Sequence, residues 1–443
     1  MTSMKAVRWH GAFDIRVEDV PKPTIQDPDD AIVKVSLAAL CGMFASMSLD
    51  PANSAQDPTS TSIADTTQST KRNHICGHEF IGEVVELGAS FGAANAQGRP
   101  ELYSSLKVGD KVVSPFTVNC GECTVCRLGY TCRCPAGALF GSPVLPGGQA
   151  QFVRVPKAGG TLFNLSDARS WNAAGIHDSS LLLLADILPT GLFAALQAMN
   201  HPKVLPAVTG RAYPASFSQS GRTSAMMTEA DRVLSFAIIG LGPVGLCAAV
   251  SLLDMLATQA LPFQIVAVDP VAERRDKAMA IYKKIGAGGT FVALGIDEAK
   301  EEMKTLTGGV GANAVLEVVG NPSALTLGYA LVRPFGAIVS VGVHGAAQMP
   351  FTGRELYGKN VSFDFGRCPA RAMFPMAFDL LGEFTCTFKS ALNKAAVKRQ
   401  DVFGSVGSPD SLVDRIVSPD DAVEMYKLFE QNKVGKVVFD MSE

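Results

Sequence analysis

Four cysteines stand as Cys120-x-x-Cys123-x-x-Cys126-x7-Cys134. Thiolates at this spacing can wrap one tetrahedral Zn²⁺ in a closed site, which leaves no exchangeable position and therefore implies a structural role. Gly121 and Gly129 ease the tight loop, and Cys132 falls inside it as the odd thiol out. Glu122, Thr124, Arg127 and Arg133 make the surround polar, so a cluster of buried, metal-free cysteines fits poorly. A zinc ribbon that binds nucleic acid would need paired CxxC knuckles and a basic setting, and the chain supplies neither.

A second constellation carries dinucleotide chemistry. Gly240-x-Gly242-Pro243-Val244-Gly245 follows an apolar, β-prone run and opens an Ala/Leu-rich one. Such glycines permit a tight turn, close approach of backbone to a pyrophosphate, and close helix–strand packing. The helix N-terminus then presents free N–H groups to the phosphates. Asp269 ends the next predicted strand, 24 residues past Gly245, where a carboxylate can accept from a ribose 2′-hydroxyl. An acid there repels a 2′-phosphate, so NAD(H) is favoured over NADP(H). Arg274 and Arg275 follow closely and read either as solvated helix charges or as groups that soften that preference.

A third group is scattered. His78-Glu79 stands in GHEFIGE before a predicted strand, Cys41 ends an earlier one, and Asp186 lies in DILPTG. A catalytic zinc takes three protein ligands of these types and keeps a fourth position open. Sequence distance does not bring them together, and Cys41 also reads as a buried apolar residue and Asp186 as a helix cap.

The elements that must position these residues fall into two rhythms. Through the first part, strands at 31–37, 81–87 and 111–116 alternate with Pro, Asp and Gly turns. From Val233 onward, strands at 233–239, 264–269, 311–319 and 336–343 alternate with helical segments, which implies a parallel, doubly wound α/β sheet. The uncharged stretch Val233–Leu253 mimics a membrane span in length, but its Gly-Pro-Gly interruption reads as buried strand, turn and buried helix. Polar insertions occupy 50–73, 200–230 and 385–412. Near the end, Ser418-Pro419-Asp420-Asp421 supplies an N-cap and first-turn acids to an amphipathic helix.

The bulk composition agrees with a globular chain of two or three domains. The chain has 443 residues, is 47% hydrophobic, and carries 39 Lys+Arg against 42 Asp+Glu for a net charge of −3. That near balance asks for neither nucleic acid nor a membrane surface. Ten cysteines are too few for a disulfide scaffold. The N-terminal ten residues do not read as a signal peptide, and the cytoplasm is the expected location.

Taken together, GHEFIGEVVELG (77–88), VGDKVV (108–113), the four-cysteine loop, GLGPVG (240–245) and GKVVF (435–439) resemble the zinc-dependent medium-chain dehydrogenase/reductase family of alcohol and sorbitol dehydrogenases. LLLADILPTGLFAA (182–195) and FGRCPAR (365–371) look closest to its formaldehyde-dehydrogenase-like branch. The resemblance implies a GroES-like catalytic domain over 1–187 with a structural zinc lobe at 118–135, a Rossmann NAD-binding domain over 188–365, and a return to the catalytic domain over 366–443. It implies catalytic zinc ligands at Cys41, His78 and Asp186, with Glu79 as a nearby, exchanging fourth. Thr190 matches a position beside substrate and nicotinamide. The backbone of Val341-Gly342-Val343 matches one that meets the nicotinamide amide. Zinc would then act as a Lewis acid on the oxygen of a small alcohol or carbonyl substrate while hydride passes to or from NAD(H). A dimer or tetramer is the family default. The run after Cys41 departs from the pattern: Met43 replaces the usual hydroxyl, Phe44 the usual acid, and Ser46 stands where a relay histidine is common. Those departures admit an alternative on the same fold, an enoyl or carbonyl reductase or tailoring enzyme without catalytic zinc.

Overall fold

The computed structural model describes residues 2–11, 14–41, 73–92, 96–167, 171, 173, 175–218, 225–345, 348–381, 403 and 406–442. Residues 42–72, which include all but the last of the insertion at 50–73, and most of 385–412 lie outside them. The chain divides into two units, one of Met1–Pro189, Pro369–Glu383 and Phe403–Glu443, the other built on Thr190–Cys368.

In the first unit, β-branched runs broken by Pro, Asp and Gly form two sheets. β1 (Ser3–Gly11), β2 (Asp14–Pro21) and β4 (His74–Ile75) make a three-stranded sheet in the order β2-β1-β4. The larger sheet runs β15-β16-β3-β5-β6-β8, with β7 also paired to β3. Its members are β3 (Ala31–Ala39), β5 (Phe80–Leu87), β6 (Lys111–Ser114), β7 (Phe152–Val155), β8 (Phe163–Asn164), β15 (Val413–Val417) and β16 (Lys436–Asp440). β15 and β16 are parallel; the other pairs are antiparallel. Val33, Val35, Phe80, Val84, Val112, Phe140, Val437 and Phe439 form one buried core beneath it. β3 is central, because β5, β7 and β16 all pair with it. The helix Ala422–Glu430 follows the Ser418 cap as its sequence predicts, and Ala422, Met425 and Tyr426 enter the same core.

The second unit is a six-stranded, fully parallel sheet in the order β11-β10-β9-β12-β13-β14. Its strands are β9 (Leu234–Ile239), β10 (Phe263–Val268), β11 (Thr290–Leu294), β12 (Ala312–Glu317), β13 (Val332–Ser340) and β14 (Ser362–Phe365). The order reverses between β9 and β12, and ligands of such sheets bind beyond the carboxyl ends of the strands at that point. The stretch 233–253 resolves into β9 and the helix Pro243–Thr258. Among the described residues no single helix is long and apolar enough to cross a membrane.

Two strand expectations are corrected here. β12 stops at Glu317 rather than 319, because the Glu317 side chain accepts from the N–H groups of Val319 and Gly320 and turns the chain. β13 runs Val332–Ser340 rather than 336–343, starting earlier through a bulge at Phe335, whose φ is +54°, and releasing Val341-Gly342-Val343 from the ladder.

The loop between β2 and β3 is tied to the four-cysteine loop by charge. The Asp29 carboxylate accepts from both terminal nitrogens of Arg99 at 3.0 and 2.8 Å and from Lys157 at 3.0 Å, while Arg99 Nε reaches Glu122 at 2.5 Å. The Arg99 guanidinium holds the Asp29 carboxyl well below the usual carboxylate range, against the opposing effect of burial. A depressed folded value means the interaction stabilises above the unfolded value near 4 and fades as pH falls below it. Asp29→Asn is therefore expected to cost about 1–3 kcal/mol near neutrality. In urea unfolding the gap between variant and parent should narrow at about pH 3, and a gap of constant size would contradict the assignment.

Candidate functional site

The four-cysteine loop closes on itself in the first unit. Cys123 caps the single turn Thr124–Arg127, its sulfur accepting from Cys126 N at 3.4 Å. Cys120 Sγ accepts from the N–H groups of Glu122 and Cys123, and Cys134 Sγ from Cys120 N, all at 3.4 Å. Cys120 Sγ lies 4.0 Å from Cys126 Sγ and 3.6 Å from Cys134 Sγ. A tetrahedron with Zn–S bonds of about 2.3 Å has edges of about 3.8 Å, so the spacing fits zinc, whereas a disulfide of about 2.05 Å is excluded. The thiols also divide electrostatically. The Cys126 N–H brings Cys123 down to about 7, while burial raises Cys126 and Cys134. Four neighbouring thiolates need a cation, and the donor set suits Zn²⁺.

Three separate parts of the same unit meet at the second cluster. Cys41 follows β3 after Leu40. His78 and Glu79 immediately precede β5. Asp186 sits at the break between the 3₁₀ turn Leu182–Ala185 and the helix Ile187–Asn200, with φ −149° and ψ −72°. One ligand atom from each of Cys41, His78, Glu79 and Asp186 lies within 4.8 Å of the others. His78 Nε2 is 3.0 Å from Asp186 Oδ2, and the His78 ring meets Phe116 edge-on at 6.0 Å. Burial opposes a charged imidazole, but Cys41 and Asp186 outweigh it and push His78 up to about 10. Thiol, imidazole and carboxylate are the ligand types that a catalytic zinc takes.

Backbone clamps hold these residues. Ala39 N donates to Glu79 O at 3.0 Å and Leu40 N to Val437 O at 2.9 Å. Gln149 Nε2 donates to Ala39 O at 3.0 Å, and Tyr426 OH donates to Gln149 Oε1 at 2.9 Å. Gly77, with φ +89°, must be glycine, since a Cβ there would lie 2.5 Å from Gln149 Cγ.

One participant was not read from the sequence. Lys436 heads β16, is 2% exposed, and donates to Glu79 Oε1 at 2.5 Å and to Leu40 O at 3.3 Å. Burial works against its charge, but Glu79, Cys41 and Asp186 keep it protonated. Burial raises the Glu79 carboxyl and Lys436 opposes that rise. The available signal was the charge that heads the apolar run Val437–Phe439.

The glycine turn of the second unit has the tight geometry that its sequence predicts. Gly240 has φ +93°, Gly242 caps the helix Pro243–Thr258 with Pro243 in its first turn, and a Cβ on Gly245 would lie 1.9 Å from Gly240 O. Val244 lies in the first turn of that helix. Asp269, just past β10 and 2% exposed, accepts from Leu241 N at 2.8 Å through Oδ2 and from Val271 N at 2.9 Å through Oδ1. Each carboxylate oxygen keeps a second lone pair for a ribose hydroxyl. Arg274 Nη1 is 3.6 Å from Asp269 Oδ2, while Arg275 donates to the Asp269 carbonyl at 2.8 Å. Thr190 is buried in the first turn of Ile187–Asn200. Val341 is buried and Val343 is exposed beyond the end of β13. Ser46, like Met43 and Phe44, lies outside the described residues.

Comparison with known proteins points to one family. The description "Alcohol dehydrogenase GroES-like domain" matches residues 27–167, and "Zinc-binding dehydrogenase" matches 243–383. Zinc-type alcohol dehydrogenase B of Aspergillus flavus is 34% identical over 99% of this chain and 82% of its own length. Medium chain reductase/dehydrogenase ucsI of Acremonium sp is 35% identical over 80% of this chain and 99% of its own. The solved structure of alcohol dehydrogenase TADH from Thermus sp. ATN1 superposes with a TM-score of 0.69 over 99% of both chains at 24% identity, a likeness of fold.

The buried pair carries an energetic expectation. Lys436→Met should destabilise the protein by about 3–5 kcal/mol, because it strands the Glu79 carboxylate without a counter-charge. Glu79→Gln combined with Lys436→Met should recover part of that loss in denaturant unfolding. A double variant as unstable as Lys436→Met alone would refute the pairing.

Proposed function

This chain belongs to the zinc-binding alcohol dehydrogenase family, and we propose that Cys41, His78 and Asp186 hold the catalytic zinc of its reaction, with Glu79 alongside. It is a zinc-dependent, NAD(P)-linked oxidoreductase for small alcohol or carbonyl substrates. The observation that carries the site assignment is the convergence of four ligand-type side chains, from three distant parts of the chain, within 4.8 Å.

When bound, zinc supplies Lewis acidity at the substrate oxygen and the nicotinamide supplies or takes the hydride. The chain's own residues do the rest. Phe116 packs edge-on against the His78 ring. Full burial of His78 and Glu79 keeps water from competing for the charged groups. Lys436 draws Glu79 Oε1 aside, so its approach to the metal is restrained by an ion pair.

Finer features follow on the same footing. The cysteine loop at 120–134 holds a second, structural zinc, giving two per chain. NAD(H) is preferred over NADP(H), supported by the buried Asp269 at the end of β10 and by Arg274, which is drawn to that carboxylate. Membership nearest the formaldehyde-dehydrogenase-like branch is supported by the segments 182–195 and 365–371. No disulfide joins the nine cysteines among the described residues, which suits the cytoplasm. β14, paired on one side only, offers an edge for a dimer or tetramer.

Metal analysis with two variants tests the central reading. The parent protein should hold two zinc ions, and Cys41→Ser one, with turnover lost and NADH binding kept. Cys123→Ser should lose the other ion and melt at lower temperature. Normal turnover in Cys41→Ser would remove the catalytic zinc from the account. Michaelis constants for both cofactors check the preference, which a lower value for NADP(H) would reverse.

A further inference from the structure

At the carboxyl edge of the parallel sheet, three side chains from the ends of neighbouring strands form a cluster that the zinc and glycine-turn chemistry does not use. Glu317, the last residue of β12, is fully buried. Its Oε1 accepts from Val319 N at 2.8 Å and Gly320 N at 2.7 Å, and its Oε2 accepts from Ser340 Oγ at 2.6 Å. Ser340 ends β13. His344, four residues on, places Nε2 at 2.7 Å from Ser340 Oγ and 3.2 Å from Glu317 Oε2. Since the serine proton goes to the carboxylate, its oxygen can only accept from the ring. Both contacts of Nε2 therefore require a proton on it.

That assignment decides the other nitrogen. In the neutral ring Nδ1 is a hydrogen-bond acceptor, and no group among the described residues engages it. The side chain keeps 19% of its surface open, with Phe365 tilted against the ring at 5.1 Å. The backbone around it is equally fixed. Gly320, at φ +85°, packs so closely that a Cβ would lie 2.5 Å from Val343 O, and Val341 N donates to Glu317 O at 3.1 Å.

Position says what Nδ1 meets. A doubly wound sheet binds a dinucleotide across its switch point, one mononucleotide on each half. The glycine turn and Asp269 belong to β9 and β10 and take the adenosine half. β12 and β13 lie on the opposite side of the reversal, so the strand ends that carry Glu317, Ser340 and His344 face the nicotinamide half.

We propose that His344 is a cofactor-positioning residue, its tautomer fixed by Ser340 and Glu317 so that Nδ1 accepts a hydrogen bond from an O–H or N–H group of the nicotinamide nucleotide. The proposal rests on the nicotinamide-cofactor reading and deepens it.

Two ligands separate the halves. NADH spans both, while ADP-ribose lacks the nicotinamide. His344→Gln keeps an N–H for Ser340 and Glu317 and, in its amide oxygen, an acceptor in place of the second ring nitrogen, whereas His344→Ala removes both. Binding is followed by NADH fluorescence and, for ADP-ribose, by calorimetry. His344→Ala should bind NADH about three- to tenfold more weakly, the equivalent of one hydrogen bond, with ADP-ribose affinity unchanged, and His344→Gln should recover part of that loss. Parental NADH affinity in His344→Ala would overturn the proposal. Equal weakening of both ligands would also overturn it, by assigning His344 a purely structural role. If the parent protein bound neither ligand, the cofactor reading itself would fall and take this one with it.

Discussion

Glu79 and Lys436 neutralise each other inside the first unit, with almost no contact with water. Around that pair stand a cysteine, a histidine and an aspartate, all more costly to bury alone than in company. Burying one carboxylate there requires the lysine, whose charge Cys41 and Asp186 also stabilise. The backbone obeys the same requirement. β16 must lie against β3 for the lysine to reach the glutamate, and that pairing also fixes Leu40 next to Cys41. The sheet order of the unit and the ligand geometry are thus two aspects of one electrostatic constraint.

The four-cysteine loop meets the same problem with local means. N–H···S bonds from Cys120, Glu122, Cys123 and Cys126 come from within the loop, where a tight turn supplies them. Beyond the loop, Arg99 links Glu122 to Asp29, so an ion-pair network ties the lobe to the loop between β2 and β3. In the second unit Glu317 plays a comparable part. One buried carboxylate gathers two backbone N–H groups, a hydroxyl and an imidazole, and so sets where two strands end.

How much of this could be read beforehand follows from how far apart the partners lie. The cysteine site spans fifteen positions, so ligand spacing alone disclosed it. The glycine turn and Asp269 were legible for a similar reason, because strand, turn and helix are consecutive. Cys41, His78 and Asp186 came from resemblance, since nothing local brings residues 41, 78 and 186 together; the sheet does that. Lys436 was hidden because its meaning depends on a pairing between β16 and β3. The end of β13 was misjudged because apolar character continues through Val341 and Val343 while the ladder stops at Ser340. That stop depends on Glu317, a residue on another strand.

Translation order bears on the β16–β3 pairing. Lys436 and Glu79 are 357 positions apart, and Lys436 and Leu40 are 396 apart. While the ribosome is still making the parallel sheet of the second unit, Cys41 and His78 are already present, but the lysine that balances Glu79 does not yet exist. Contacts this distant in sequence close late and slowly. The parallel sheet can consolidate during synthesis, whereas the ligand cluster waits for residue 436 before its charges balance. The second cluster therefore matures after the local cysteine loop.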